Sequence, residues 1–405
     1  MQTTLPEHFK QTDTGKRADQ ILRSCVHCGF CNATCPTYQL TGDELDGPRG
    51  RIYIIKQLIE DKPASLRSLN HLDRCLTCRA CETTCPSGVQ YARLLDIGRA
   101  QFAARIKRPL RQRLLRNILR FVLPYPRRVA MLLGLAPLYR SLLPDAVRRA
   151  QPRPEPVPQD RAAPTRQHPR RILLLDGCVQ AATRPNINAA LARVLDRLGI
   201  STIVVPGSGC CGAVSHHLAA NEQSREFMRR NINAWWPHIE SGVEAVITSS
   251  SACSLMIKDY GELLADDPVY AGKAATIAAK ARDISELLAD EDLSGIAVNS
   301  EAHTLALQLP CSAQHGQSLG PAITRILTTC GFRLQQSHDD HTCCGAAGTY
   351  TILQPQFSDS LREKKLAALQ ATDANCIVTA NIGCLLHLQD QASVPVRHWL
   401  ELLDS

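Results

Sequence analysis

Between residues 170 and 402, short apolar runs alternate with longer stretches whose apolar positions recur every three or four residues. "RILLLDGC" is a brief apolar run that stops at Gly177-Cys178 and reads as a strand followed by a turn. "NINAALARVLDRLGI" has helical spacing and closes at Gly199. "TIVVPGSG" and "EAVITSS" read as strands again, with helical patterns between them. Strands alternating with helices predict a parallel α/β layer. The N-terminal hundred residues have a different texture: "RGRIYIIKQLIE" and "LRSLNHLDR" are helical in pattern.

The α/β half repeats itself. "LLLDGC" ending at Cys178 matches "LALQLPC" ending at Cys311, an offset of 133 residues, and Cys210-Cys211-Gly212 matches Cys343-Cys344-Gly345 at the same offset. "SSSAC" ending at Cys253 matches "ANIGC" ending at Cys384, offset by 131. Three landmarks in one register predict two copies of one unit, at 170–295 and 300–402. Residues 1–100 form a further domain, 101–150 a leucine-rich basic segment, and 151–169, with six prolines, a semi-rigid linker.

Composition narrows the chemistry. A chain of 405 residues holds two or three domains, and its 18 cysteines are the outlier. The first 24 residues contain no apolar core of a secretory signal, and the longest apolar run, Val129 to Tyr139, is too short to span a bilayer. The expectation is a cytoplasmic protein, in which so many cysteines serve as metal ligands or redox groups rather than disulfides. The formal charge of +8 is concentrated: residues 101–150 carry 12 Lys/Arg and one acid, net +11, which leaves −3 for the rest. In "LRQRLLRNILRFVL", Leu114, Leu115, Ile118, Phe121 and Val122 share one helical side, which suits either anionic lipid or a packed protein surface. No stacking-aromatic or groove-reading motif accompanies the charge, so nucleic acid is not the expected partner.

"CVHCGFCNATCP" and "CLTCRACETTCP" both have the spacing C-x2-C-x2-C-x3-C-P. This is the bacterial ferredoxin run. Three cysteines at two-residue intervals wrap one loop around three corners of an iron–sulfur cube. The proline (Pro36, Pro86) turns the chain after the fourth cysteine, which then points to the other cube. On that logic Cys25, Cys28, Cys31 and Cys85 hold one [4Fe–4S] cluster, and Cys75, Cys78, Cys81 and Cys35 hold the other. Zinc, which wants two separated pairs in one tetrahedron, suits this spacing poorly. The helical insert between the motifs resembles the α-helical ferredoxin domain of respiratory iron–sulfur subunits. His27, Arg74 and Arg79 lie beside the motifs and either tune the clusters or are solvated loop residues.

The repeat supplies two further sets of four: Cys178, Cys210, Cys211 and Cys253, and Cys311, Cys343, Cys344 and Cys384. Strand ends on one edge of a parallel sheet converge, so each set should meet at one point. Gly212 and Gly345 would let the backbone approach whatever the thiols hold. The sets resemble the CCG cysteine-rich domain of heterodisulfide reductase, whose pattern is a Cys, a Cys-Cys-Gly and a C-x-x-C. That resemblance implies a candidate further iron–sulfur cluster at a CCG site. The first cysteine of C-x-x-C is Ser250 in one copy and Asn381 in the other, so each set lacks one family ligand. His216, His217, His338 and His341 read as polar turn residues rather than ligands, and Cys330 and Cys376 as small buried hydrophobes.

The fold class expected is thus multidomain, α plus α/β: an α-helical ferredoxin domain, then two duplicated α/β CCG units. This order resembles the iron–sulfur subunits of bacterial glycolate oxidase (glycolate dehydrogenase). The matching stretches are "CVHCGFCNATCPTYQLTGDELDGPRGRIYIIKQ", "HLDRCLTCRACETTCPSGVQY", "LLDIGRA" and "TANIGC". The resemblance implies an electron-transfer subunit that works with FAD-containing subunits oxidising glycolate, with D-lactate as a second candidate, and passes electrons to a membrane acceptor, a quinone. It implies a peripheral position on the inner membrane. No G-x-G-x-x-G follows a strand, so no flavin or NAD is expected on this chain, and no catalytic residue. The competing readings are the iron–sulfur subunit of anaerobic glycerol-3-phosphate dehydrogenase and a heterodisulfide-reductase-like thiol–disulfide enzyme.

Overall fold

The computed structural model describes residues 1–139, 164–296 and 304–404. The end of the basic segment and most of the proline-rich linker therefore lie outside the described residues.

The N-terminal region is helical. Helix α1 (Asp13–Ser24) is capped by the Thr12 hydroxyl, which accepts from Gly15 N at 3.0 Å. Helix α2 (Pro48–Ile59) opens on a proline, and α3 (Leu66–Asp73) is capped by Ser65. Helix α4 (Tyr91–Arg105) crosses α2 closely: a Cβ on Gly98 would lie 2.6 Å from Ile55 Cγ1. Leu22, Ile55, Leu58, Leu69, Leu72 and Leu94 form the core of this region. Each contributes about 1.5–3 kcal/mol by leaving water.

Two helices follow, α5 (Leu110–Val122) and α6 (Pro126–Tyr139). Pro124 cannot continue a helix, so the pair folds into a hairpin at residues 123–125. Arg108 and Arg116 tie the hairpin to Asp73 at the end of α3, and Arg120 Nε donates to Gln223 Oε1 at 2.8 Å. No helix among the described residues is long and apolar enough to cross a membrane.

The two α/β units have the same topology. In the first, β1 (Arg170–Leu174) lies between β2 (Ile200–Ile203) and β3 (Val246–Thr248), and β4 (Ala281–Asp283) closes the far edge. In the second, β5 (Thr304–Gln308) lies between β6 (Arg333–Gln335) and β7 (Cys376–Thr379), with β8 (Val396–His398) beyond. All six pairings are parallel. The central strands are apolar because helices cover both faces. The fourth strand of each unit, "ARD" and "VRH", has only three residues and no apolar run, which is why the pattern of the sequence did not announce it.

One core joins the units. Ile172, Leu191 and Ile247 of the first share a buried cluster with Leu305, Ile377 and Trp399 of the second. Arg193 and Arg197 on α7 (Pro185–Arg197) both bind the Asp404 carboxylate, at 2.7 and 2.9 Å. His398 of β8 hydrogen-bonds Ser249 O at 3.0 Å.

Candidate iron–sulfur centres and the cavity between them

The two N-terminal cysteine loops curl because alternate residues take the left-handed conformation. His27 and Gly29 do so in the first loop (φ 57° and 86°), Thr77 and Arg79 in the second (φ 55° and 63°). Successive turns of this kind point neighbouring thiols and backbone N–H groups inward, the geometry of an anion-binding nest. Arg79 stands where the first loop has glycine, a conformation costing an L-residue roughly 1–2 kcal/mol. Its side chain explains why an arginine is held there: Arg79 reaches 3.0 Å to Asp259 of the first α/β unit. Arg74 likewise bridges Asp46 at 2.8 Å and lies over the Phe357 ring at 5.2 Å. These two arginines are domain-joining side chains, which neither sequence reading foresaw.

The structure brings the crossed sets together. Cys31 lies among Cys25, Cys28 and Cys85; burial and these three neighbours push its thiol up to about 11. Cys81 lies among Cys78, Cys75 and Cys35, and burial followed by the same neighbours raises it well above the usual thiol range. Cys28 is exposed, as are Val26 and Phe30 beside it, whereas Cys75, Cys81 and Cys35 are buried. The first set thus reaches the surface and the second does not. Around the second set, Tyr91 Oη donates to Cys75 Sγ at 3.6 Å and Thr77 N to the same sulfur at 3.4 Å.

Arg51 was missed by sequence reasoning. It is buried on the apolar face of α2, donates to His71 O at 2.7 Å and Thr37 Oγ1 at 3.1 Å, and lies 4.0 Å from Cys35 Sγ. Burial lowers its pKa, but Cys75, Tyr91, Cys35 and Asp46 around it raise it above the usual value, so it stays a cation. A cation locked beside the sulfurs is suited to an anionic group. The available signal was an arginine in register with Ile55 and Leu58 on one helical face.

Each α/β unit gathers its own four thiols. Cys178 precedes the first sheet's crossover, Cys210 and Cys211 occupy the turn after β2, and Cys253 is in the first turn of α10 (Ser251–Lys258; α8 is Ala213–His217 and α9 is Asn221–Glu240). Cys211 Sγ lies 3.5 Å from Cys253 Sγ. In the second unit Cys311 opens α11 (Cys311–Gln317), Cys343 and Cys344 lie in the turn before α12 (Pro355–Gln370), and Cys384 is in the first turn of α13 (Ile382–Gln389). Cys343 Sγ lies 3.9 Å from Cys311 Sγ. The hydrogen-bonded neighbour (Cys210, Cys343) and burial push Cys178 and Cys311 well above the usual thiol range.

The glycines after the pairs serve a different neighbour from the one expected. Gly212 and Gly345 have φ of 96° and 89°, and a Cβ would meet Ser224 Oγ at 2.9 Å or Ser358 O at 2.7 Å. The close approach is to helices α9 and α12, not to the thiols. The Ser224 and Ser358 hydroxyls donate to the Gly212 and Gly345 carbonyls at 3.0 and 2.8 Å. The glycine N–H groups do face sulfur, 3.4 Å from Cys210 Sγ and 3.5 Å from Cys343 Sγ.

The positions that lack the family's fifth cysteine meet each other. Ser250 Oγ donates to Asn381 Oδ1 at 2.7 Å, and Asn381 Nδ2 donates to Cys384 Sγ at 3.6 Å. The two substitutions are one hydrogen-bonded link between the two units.

A large cavity, about 920 Å³, is bordered by Cys75 and Cys78, by both four-thiol sets, and by the α5–α6 hairpin. His216 and His217 line it from α8, so they are not the turn residues anticipated. His216 Nε2 meets Asp96 Oδ2 of α4 at 3.0 Å. His338 and His341 are exposed turn residues, as expected, and Cys330 and Cys376 are buried.

Comparison with known proteins fits this geometry. Residues 21–89 match a family model described as a 4Fe-4S dicluster domain, and residues 172–258 and 305–389 match one described as a cysteine-rich domain. Over 404 residues the chain is 48% identical to the "Glycolate oxidase iron-sulfur subunit" of Escherichia coli K12, covering 100% of this chain and 98% of that protein. The chain belongs to the glycolate oxidase iron–sulfur subunit family. Identity to the "Probable glycolate oxidase iron-sulfur subunit" of Bacillus subtilis is 31%, covering 94% of this chain and 91% of that one. "Lactate utilization protein A" of B. subtilis matches at 25% over 58% of this chain and 99% of its own length.

The residues fit the groups this family implies. Each set offers four converging thiols, the donor type that holds an iron–sulfur group. Backbone N–H groups aim at the sulfurs in both units, as anionic thiolates require.

Proposed function

We infer that the chain is the electron-transfer subunit of a flavin-dependent glycolate dehydrogenase. It would receive electrons from FAD-containing partner subunits that oxidise glycolate to glyoxylate. D-lactate is a second substrate candidate, since a relative named for lactate utilization matches over 58% of this chain. Cys25, Cys28, Cys31 and Cys85 would hold one [4Fe–4S] cluster, and Cys75, Cys78, Cys81 and Cys35 the other. The CCG sets, Cys178, Cys210, Cys211 and Cys253 and Cys311, Cys343, Cys344 and Cys384, are the candidate sites of a further iron–sulfur cluster. Bound clusters supply one-electron transfer, which this chain's side chains do not.

The observation that carries the reading is the order of the four sites. The first set reaches the surface at Cys28, where Val26 and Phe30 offer an apolar contact for the flavin partner. The second set is interior, and its Leu76 and Cys78 pack directly against Cys311, Cys343 and Tyr350 of the second α/β unit. That unit meets the first through Ser250 and Asn381. A surface-reaching set followed by three sets that border one cavity suits a chain that relays electrons inward.

The far end would be a membrane. Leu110, Leu114, Ile118, Phe121, Met131 and Leu135 of the hairpin are exposed, and Arg111, Arg113 and Arg127 flank them. An apolar strip with arginines beside it lies at an anionic bilayer surface. That arrangement supports a position on the cytoplasmic face of the inner membrane, with a quinone as acceptor.

The test is anaerobic co-purification with the tagged chain, followed by flavin and iron analysis and turnover with glycolate, D-lactate and glycerol 3-phosphate. The reading expects a brown complex containing flavin, with about eight iron atoms per chain from the two ferredoxin-type clusters, and more where a CCG site is filled. Colourless protein, bound zinc, or faster turnover of glycerol 3-phosphate would each refute it.

A further inference from the structure

Part of the cavity is walled by residues that cannot serve the iron sites. Leu115, Leu119 and Val122 of α5 and Val129 and Leu132 of α6 line it, and neither helix contains a cysteine. Ile118 both lines the cavity and is 49% exposed, so the space opens beside the hairpin's outer apolar face. An apolar molecule dissolved in a bilayer under the hairpin could enter there without crossing water.

A histidine without a hydrogen bond also faces the cavity. His217 makes no hydrogen bond among the described residues; its ring stands edge-on to His216, 5.5 Å between centroids. Burial, then His216 beside it, depress its pKa to about 3, although its own surface is open. Both hold together because that surface faces the cavity rather than bulk solvent. A neutral imidazole offers one N–H donor. Behind it, His216 and Asp96 are paired.

We propose that this part of the cavity binds the ring of a lipid-soluble quinone, with His217 donating a hydrogen bond to a quinone carbonyl and the Asp96–His216 pair passing protons to it. The proposal rests on the membrane-acceptor reading above and assigns that acceptor its site. The ligand must be apolar to occupy the leucine–valine wall, must carry a hydrogen-bond acceptor for His217, and must take electrons beside the cysteine sites. A fatty acyl chain meets only the first condition. A quinone meets all three: it takes two electrons, one at a time, and two protons to become the quinol. The electrons are those released from glycolate in the partner subunit, and the protons come from water.

The test uses the complete complex in detergent, illuminated with an azido-substituted quinone and then digested for peptide mapping. The proposal expects label within residues 110–135 or 213–218, displaced by excess unmodified quinone. It also expects His217→Ala to raise the KM for quinone about tenfold, equivalent to the roughly 1.4 kcal/mol of one lost hydrogen bond, with His217→Asn recovering part of it. Leu119→Trp, which fills the space, should abolish labelling. Quinone reduction with label confined elsewhere overturns the site while leaving the acceptor reading intact. Glycolate oxidation with a soluble acceptor but no quinone reduction overturns both. An unchanged KM in His217→Ala overturns the role of His217, and the mapping on the unaltered complex stands even where a variant fails to fold.

Discussion

The two α/β units share topology, cysteine spacing and a glycine–serine clasp, yet they face the helical region in opposite ways. The second unit meets it through dry packing: Leu76, Tyr350 and Leu361 join around Cys343, and Tyr350 Oη donates to Arg74 O at 2.9 Å. The first unit meets it through charge: Asp259 binds Arg79 and Arg93, Glu262 binds Arg93 and Arg17, and His216 binds Asp96. Duplication produced equal sites, and their placement about the joint core made them unequal. Both copies border the cavity, but only the second packs on Cys78; it suits receipt of electrons, and the first suits their delivery.

The largest expected effect comes from breaking either copy. Cys344→Ser and Cys211→Ser should each abolish electron delivery to a quinone, measured as glycolate-dependent quinone reduction by the complex. If the units were redundant, one of the two would retain activity. The ionic contact is next. Asp259→Asn leaves Arg79 without its carboxylate and Arg93 with Glu262 alone, and should cost about 3 kcal/mol in urea denaturation, the scale for stranding one side of a largely buried pair. On the dry side, Tyr350→Phe removes a single hydrogen bond and should cost about 1 kcal/mol. Equal losses would erase the contrast between the two contacts. Ser250→Ala, which cuts the link between the units, also belongs near 1 kcal/mol, with an altered absorption spectrum at the second unit because Asn381 then loses its orientation toward Cys384.

The smallest effect is a pH dependence confined to the first unit. Burial lowers the pKa of His216, but Asp96, assisted by Asp259 against Arg93, raises it above the usual value; His216 in turn holds Asp96 low. A histidine raised on folding stabilises fully below its unfolded pKa of about 6.5 and loses that contribution as pH climbs through the folded value. The lowered carboxylate contributes above its unfolded pKa and is lost only in acid. The melting temperature should therefore fall modestly above neutral pH, and Asp96→Asn should flatten the curve. A variant with the same slope as the parent would remove the pair from the account.

Much of this was legible in the residues. The spacing of Cys25 to Cys35 and Cys75 to Cys85 names its own chemistry, and the 133-residue offset announces the duplication. What stayed hidden depends on the third dimension. The three-residue strands β4 and β8 hold too few apolar positions to show a period. Ser250 and Asn381 appear in the sequence only as missing cysteines, and that one donates to the other depends on two units meeting. The amphipathic α5 suited lipid or protein equally because it has two apolar aspects: Leu115 and Leu119 face the cavity while Leu114 and Phe121 are exposed. His216 and His217 looked like turn residues until Asp96, 120 positions away, was placed against them.

The order of the sites is tested most directly by anaerobic rapid-freeze electron paramagnetic resonance on the complex mixed with glycolate, comparing the parent, Cys344→Ser and Cys211→Ser. In Cys344→Ser, the ferredoxin-type signals should appear while the first α/β unit stays oxidised. In Cys211→Ser, the second unit should still be reduced. Reduction of the first unit at the parent rate in Cys344→Ser would contradict the proposed route.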